Sequence, residues 1–148
     1  MEPSRQPVRE RAGTELLGWW RLVSCDVEFR DCGSREPMYQ TQARGYIVFC
    51  PTGRMMTVIE AAGRTPPETE VEHVAAMRSM AAYTGTYRVQ GNDWVTLVDA
   101  AWNAGWTGTE QHRSFHLSEG QLHVVSDWYS SPLHGGRVVR ALLNWERE

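Results

Sequence analysis

The sequence lacks the features by which several classes of protein are recognised. Its 148 residues include only three cysteines, Cys25, Cys32 and Cys50, and no Cys-x-x-Cys pair. An odd number at irregular spacing argues against a disulfide framework and against a zinc knuckle. The polar start of the chain has no signal-peptide pattern, and no run approaches the roughly 18 apolar residues of a membrane span. We therefore expect a protein of the reducing cytoplasm without a membrane partner.

Strong charge and familiar catalytic motifs are absent as well. The net charge is −3 with both signs interspersed, so we expect no nucleic-acid partner. The chain contains no Gly-x-Gly-x-x-Gly, no phosphate-binding loop, no His-Glu-x-x-His and no Gly-x-Ser-x-Gly. No three metal-binding side chains share a plausible inward face, so we predict neither a metal nor a cofactor. A site assembled from scattered residues inside a barrel would still escape such motifs.

Aromatic residues and strand patterns dominate what is present. Seven tryptophans and five tyrosines suit either a core or the wall of a ligand pocket. Runs of β-forming residues separated by Gly, Asn, Asp and Ser turns predict eight strands. The strands lie near residues 18–29, 45–50, 55–59, 83–89, 94–102, 111–117, 122–128 and 137–147. Residues 1–13 are polar and patternless, which predicts an N-terminal arm before a barrel domain of residues 14–148.

One helix and one polar loop are predicted near the ends of these strands. Pro66 and Pro67, followed by acidic residues, predict a helix from Glu68 to about Ala82 that lies across the barrel mouth as a lid. Residues 35–42 predict a loop over a mouth. Eight strands with short hairpins close most economically into an all-β, antiparallel, up-and-down barrel, with no exposed edge and room for one small ligand.

Both ends of the barrel domain carry a pattern with a known counterpart. Gly18-Trp19-Trp20 opens the first strand, and Arg140 and Arg147 lie on the last. A Gly-x-Trp opening answered by such a cation resembles the lipocalin (calycin) superfamily, in which the arginine packs over the tryptophan. Five more phrases look like the bacterial lipocalin-like domain family: Arg44-Gly45-Tyr46-Ile47, Thr52-Gly53-Arg54-Met55, Tyr83-Thr84-Gly85-Thr86-Tyr87, Trp106-Thr107-Gly108-Thr109-Glu110-Gln111 and Leu143-Asn144-Trp145-Glu146-Arg147. The resemblance implies the barrel fold and either ligand binding or small-enzyme chemistry, including isomerases and cyclases of natural-product pathways.

The hairpin at residues 118–121 predicts which side chains of its strands face the interior. Only one register puts the apolar residues on one face, with Phe115 opposite Val124. That register also turns Arg113 inward, opposite Ser126. A buried guanidinium is costly unless it is paired. Arg113 therefore either binds an anionic group of a ligand or forms a structural ion pair with an inward carboxylate of the protein.

Asp99 is the best candidate for acid–base chemistry, because it interrupts an otherwise apolar strand. Burial without a partner would raise its pKa, whereas pairing with Arg113 would lower it. The turn at residues 91–93 permits two registers, so the face that carries Asp99 stays open. The catalytic candidates are Asp99, Arg113 and Tyr87. The candidate ligand-binding residues are Tyr46, Met56, Tyr83, Phe115, Trp128 and Trp145.

Two functional hypotheses follow, both with a small, mostly apolar molecule in the barrel interior. In the first, a cofactor-free isomerase or cyclase acts on a polyketide-like intermediate. Asp99 would move the proton, and Arg113 with a tyrosine would stabilise developing negative charge. In the second, the protein binds or carries the molecule without changing it. An interior carboxylate without an ion-pair partner favours the enzyme. An interior carboxylate paired with an arginine favours the binding or carrier protein. A homodimer is a further possibility for either.

Overall fold

Eight long antiparallel strands close into a barrel. The computed structural model describes residues 14–148, and the predicted N-terminal arm at residues 1–13 lies outside the described part. The strands are β1 (Gly18–Phe29), β2 (Arg35–Pro37), β3 (Ala43–Phe49), β4 (Arg54–Ala61), β5 (Met80–Gln90), β6 (Asp93–Ala101), β7 (Glu110–Ser118), β8 (Gln121–Ser126), β9 (Tyr129–Ser130) and β10 (Val138–Arg147). Each long strand pairs with the next, and β1 also pairs with β10, which closes the sheet. The predicted eight-stranded, up-and-down barrel is confirmed, with β2 and β9 as short additions.

One end of the barrel, here called the lower end, is filled by side chains. It is the end at which β1 begins and β10 finishes. Five large residues there are almost completely buried: Trp20, Phe49, Met55, Trp94 and Trp145. The rings of Phe49 and Trp94 pack edge to face, with their centroids 5.2 Å apart. Interiors packed in this way leave no room for another molecule, so ligand space has to lie toward the other, upper end.

Trp20 closes the lower end beneath a cation from the last strand. The Arg147 guanidinium carbon lies 3.9 Å from the centroid of the Trp20 ring, and the indole N–H donates to the Leu16 carbonyl at 2.9 Å. Arg147 also donates to the carbonyls of Glu15 and Leu17. The predicted contact between Trp20 and a cation of the last strand is confirmed, and Arg147 makes it.

A β-bulge at Val23 changes which residues of β1 face the core. Leu22 pairs with Trp145 and Ser24 pairs with Asn144, so Val23 has no opposite residue. As a result, Leu22 is buried and Val23 is half exposed. Beyond the bulge, Cys25 and Val27 are buried. Strict alternation counted back from them would put Val23 inside and Leu22 outside, and the bulge reverses these two positions.

A helix at Glu70–Arg78, here called the mouth helix, stands at the upper end. It is shorter than predicted, because the chain enters β5 at Met80, which pairs with Glu60 of β4. Thr69 caps its first turn by accepting from the Glu72 amide at 3.2 Å. No residue of this helix is buried, so it borders the mouth without plugging it. Within residues 14–148, the helices are too short or too polar to cross a membrane.

Two further segments complete the upper end. The chain from Met38 to Gln42 leaves β2 and folds over the opening, where Met38 and Tyr39 pack against the barrel core. Short 3₁₀ helices at Ala104–Trp106 and Pro132–His134 border the same opening. Most of the predicted loop at residues 35–42 is therefore confirmed, although residues 35–37 add a strand to β1.

Candidate ligand site at the barrel mouth

Arg113 points into the barrel, as the hairpin register predicts. It pairs with Ser126, and Phe115 pairs with Val124. Its guanidinium donates to the backbone carbonyl of His112 at 2.8 Å and lies 6.0 Å from the Trp106 ring centroid. Among residues 14–148, no carboxylate forms an ion pair with it. The described part of the chain therefore contains no structural ion pair between Arg113 and an inward carboxylate.

Asp99 lies on the outer face of the barrel. It is the extra residue of a bulge in β6, since Thr84 pairs with Ala100 and Gly85 with Val98. Both of its carboxylate oxygens accept from the Arg54 guanidinium, at 2.9 and 3.1 Å. This hydrogen-bonded ion pair holds the pKa of Asp99 below its ordinary value. An exposed carboxylate with a lowered pKa does not suit a general base inside the barrel, so the structure corrects the interior position considered for Asp99.

Four other candidates do face the interior, at different heights. Tyr83 is buried beneath the mouth, with its ring centroid 5.2 Å from that of Trp106. Phe115 is buried beside Trp94. Trp145 lies in the filled lower end. The half-buried Tyr87 packs edge to face on lower-end Phe49, and burial raises its pKa.

Three residues expected to line the ligand pocket lie outside it. Tyr46 and Met56 are about half exposed on the outer faces of β3 and β4. Both strands have apolar residues on both faces, so composition alone could not select the inward set. Trp128 follows the end of β8 at Ser126, where the alternation stops. Its ring instead lies under the Arg140 guanidinium carbon, 4.5 Å from the centroid.

A neutral polar cluster at the mouth was missed by sequence reasoning. It consists of Cys25, Tyr39 and Tyr129. Burial raises the pKa of the Cys25 thiol to about 12 and raises that of Tyr39. Tyr129 is 39% exposed overall. Partial burial and the neighbouring Cys25 raise its pKa to about 12, while Arg113 acts in the opposite direction. All three groups are therefore protonated near pH 7, and Arg113 is the cation beside Tyr129.

A cavity of about 380 Å³, here called the mouth groove, opens between the mouth helix and the loop that follows β2. Its lining is largely apolar, and Met38 and Tyr39 belong both to this lining and to the side of the loop that packs on the core. The lining residues are Met38, Tyr39, Gln40, Val71, Val74, Ala75, Arg78, Ser79 and Leu133. Its volume falls in the range of natural small-molecule sites.

A serine–histidine–glutamate contact near the mouth has a structural explanation. The Ser131 hydroxyl lies 2.8 Å from His134 Nδ1, and His134 Nε2 lies 3.5 Å from a Glu36 oxygen. Ser131 is only 2% exposed, so a substrate cannot reach its hydroxyl. The contact therefore holds a 3₁₀ turn against the barrel. Within the described residues, no group of three or more His, Cys, Asp or Glu side chains could hold a metal ion.

The closed barrel, packed at one end and open at a polar and aromatic mouth, defines a small-molecule-binding barrel of the lipocalin type. The family model of the lipocalin-like domain matches residues 17–148. The chain therefore belongs to the lipocalin-like domain family. A search of curated proteins found no matching relative.

Proposed function

We propose that this protein binds a small molecule that joins an apolar body to an anionic oxygen, with Arg113 as the contact for that oxygen. The observation behind this proposal is the inward guanidinium of Arg113, which has no carboxylate partner among residues 14–148. Of its N–H groups, one donates to the His112 carbonyl. A guanidinium has five such donors in a planar fork, and carboxylates or phenolates complement it. An anion that enters the mouth would supply the missing partner.

The surrounding electrostatics favour an anion over a cation. Cys25, Tyr39 and Tyr129 are protonated near neutral pH, so they can donate hydrogen bonds to a ligand without adding negative charge. The inward-facing positions of the eight long strands, read from burial and register, contain no Asp or Glu. The interior is thus positively biased, whereas the whole chain carries a net charge of −3.

Two fluorescent probes test the proposal because they share an apolar body and differ in charge. 8-Anilinonaphthalene-1-sulfonate is anionic, and N-phenyl-1-naphthylamine is its neutral counterpart. We expect the Arg113→Met variant to weaken binding of the anionic probe by about 1.5–3 kcal/mol, which is typical of a hydrogen bond to a charged group. The neutral probe should bind the variant as it binds the natural protein.

Arg88→Met provides the matched control, because it removes the same charge elsewhere. Arg88 lies on β5 and pairs with Glu110 at 3.1 Å on the outer surface. We expect its affinity for both probes to be unchanged. Equal affinity of Arg113→Met and Arg88→Met for the anionic probe would refute the role of Arg113. Failure of both probes to bind the natural protein would refute ligand binding at the mouth.

An isomerase or cyclase acting on a natural-product intermediate is the second candidate function. Protonated tyrosines beside an arginine can donate to a carbonyl oxygen as negative charge develops on it, and this observation favours the second candidate. Asp99 cannot serve as the base from the outer face, and Tyr87 lies at the filled end. Such an enzyme would act by polarising the carbonyl, with the proton passing to water or between substrate atoms. Turnover lost in a Tyr129→Phe variant that keeps full affinity would support it.

Location and assembly are parts of the same proposal. The free thiols of Cys25, Cys32 and Cys50 support a reducing compartment such as the cytoplasm. Tyr46 pairs with Val58 on the outer face of β3 and β4, and this apolar surface supports a homodimer. Ion pairs border the surface, so each copy would offer both signs of charge to its partner. Analytical ultracentrifugation over a hundredfold range of protein concentration tests the homodimer. A monomeric mass at every concentration would refute it.

A further inference from the structure

The filled lower end of the barrel raises the question of where the apolar body of a ligand lies. A molecule held at Arg113 cannot extend downward, because Trp94 stands opposite Arg113 in the sheet and its ring packs against Phe115, two residues further along β7 toward the lower end. Trp94 is 1% exposed and Phe115 8% exposed. The direction that remains from Arg113 is upward, past the Trp106 ring and toward the loop and the mouth helix.

We propose that the mouth groove is a second subsite of the same ligand and receives its apolar body. This inference rests on the proposed function, since it assumes that the anionic end lies at Arg113. The groove has suitable chemistry, because Val71, Val74 and Leu133 offer apolar side chains that are exposed at present. Covering them with the apolar part of a ligand removes that surface from water, which favours binding.

Tyr39 connects the two subsites. It lines the mouth groove and also packs against the barrel core, so it forms the wall between them. Its neighbour Met38 donates its backbone N–H to the Cys25 carbonyl at 3.1 Å, and the Met38 sulfur lies 3.7 Å from the Cys25 sulfur, so the loop that carries Tyr39 is held against the polar cluster. A ligand that spans both subsites therefore passes along Tyr39, with its charged end inside and its apolar end in the groove.

The expected ligand class is an amphipathic monoanion of moderate size. A volume of about 380 Å³ admits a short aliphatic chain or two fused rings, near the lower limit for small-molecule sites. A fully apolar compound would leave Arg113 without an anionic partner. A highly charged compound would leave the valines of the mouth helix uncovered.

The neutral probe N-phenyl-1-naphthylamine tests the groove independently of Arg113. We expect Val74→Asp, which puts a carboxylate into the groove wall, to weaken its binding about tenfold, because an apolar ring would desolvate the new charge. Met77→Asp is the matched control. Met77 lies on the same helix with similar exposure, 48% against 52%, and does not line the groove. It should change the affinity less than about twofold.

Far-UV circular dichroism and urea unfolding establish that both variants stay folded. Val74 and Met77 are both exposed, so neither change disturbs the core. Equal affinities of the two variants for the neutral probe would overturn the groove proposal. If Arg113→Met still weakens the anionic probe in that case, the proposed function stands while the groove fails.

The position of the anionic end is tested with the sulfonate probe, because Arg78 also lines the groove. We expect Arg113→Met to weaken this probe at least fivefold more than Arg78→Met does. The reverse order would place the anion at the groove rim and overturn the two-subsite arrangement. The two-subsite arrangement is supported if Arg113→Met weakens binding of the anionic probe and Val74→Asp weakens binding of the neutral probe.

Discussion

Replacing Trp20 by alanine tests how far the lower-end closure stabilises the fold. Trp20 is 1% exposed, contacts Arg147 through its ring face and donates to the Leu16 carbonyl. A buried aromatic ring covers about 150–250 Å². At about 25 cal/mol per Å² that burial amounts to roughly 4–6 kcal/mol, an upper estimate because the unfolded chain already hides part of it.

The measured loss should fall near the values found for large-to-small changes in other cores. We expect Trp20→Ala to lower the free energy of unfolding by about 3–5 kcal/mol. Trp20→Phe keeps most of the apolar area but loses the indole hydrogen bond and part of the stacking, so it should cost about 1–2 kcal/mol. Trp19→Ala removes an adjacent ring that is 56% exposed, and its cost should stay below about 1 kcal/mol.

Urea unfolding followed by far-UV circular dichroism is the appropriate assay. The remaining six of the seven tryptophans would dominate a fluorescence signal. The three variants should differ in midpoint while the slope m stays constant, which indicates a change in stability alone. A Trp20→Ala midpoint equal to that of Trp19→Ala would refute the closure by Trp20 and Arg147.

Three further predictions follow from single contacts. At pH 8, Ellman's reagent should label exposed Cys32 at once and buried Cys25, whose pKa is raised to about 12, only after urea is added; immediate reaction of both would be contrary evidence. Gly85→Ala should lower stability by about 1–3 kcal/mol in urea titrations, since the new Cβ would lie 2.0 Å from a β6 carbonyl oxygen; a neutral result would contradict the close approach. Arg54 holds the pKa of Asp99 below its ordinary value, so the pair stabilises the fold above about pH 4 and loses this effect as pH falls through the lowered pKa. The stability difference from Arg54→Met should shrink accordingly in acid, and a constant difference would argue against the ion pair.

The sequence predicts the barrel well because its signals are local. The hairpin of β7 and β8 needs only one register to align Phe115 with Val124, and the structure has that register. Trp20 and its cation were predictable from a pattern at the two ends of the domain, and Arg147 makes the contact. Arg113 faces inward by the same alternation that turns Phe115 inward.

Predictions fail where an interruption of the alternation leaves no mark in the sequence. The bulges at Val23 and Asp99 each add one residue without a glycine or proline to announce it. Trp128 lies beyond the end of β8 at Ser126, so the alternation of inward and outward side chains along the strand no longer predicts which way it faces. These interruptions reverse the face on which a residue lies, and with it the role that the residue can have.

The polar cluster at the mouth is hard to predict for a different reason. Tyr39 comes from a segment of polar residues after β2, and Tyr129 from a two-residue strand. Tyr39 approaches Cys25 because the loop after β2 folds back over the opening, where Met38 donates its backbone N–H to the Cys25 carbonyl at 3.1 Å. Tyr129 is positioned separately, by the pairing of β9 with Val139 of β10. Such meetings depend on tertiary contacts between distant segments, which local patterns do not encode.

The pairing of β1 with β10 has a consequence for how fast the chain folds. Each hairpin from β3 to β8 forms between neighbours, whereas the closing contact of Arg147 with the Leu17 carbonyl joins residues 130 positions apart. Bringing such distant segments together carries a loop-closure entropy that neighbouring strands avoid, and high contact order slows folding. We therefore expect the pairing of β1 with β10 to form late in folding. Substitutions that weaken the pairing of β1 with β10 should accelerate unfolding and leave the refolding rate nearly constant. This pairing would then determine the kinetic stability of the protein.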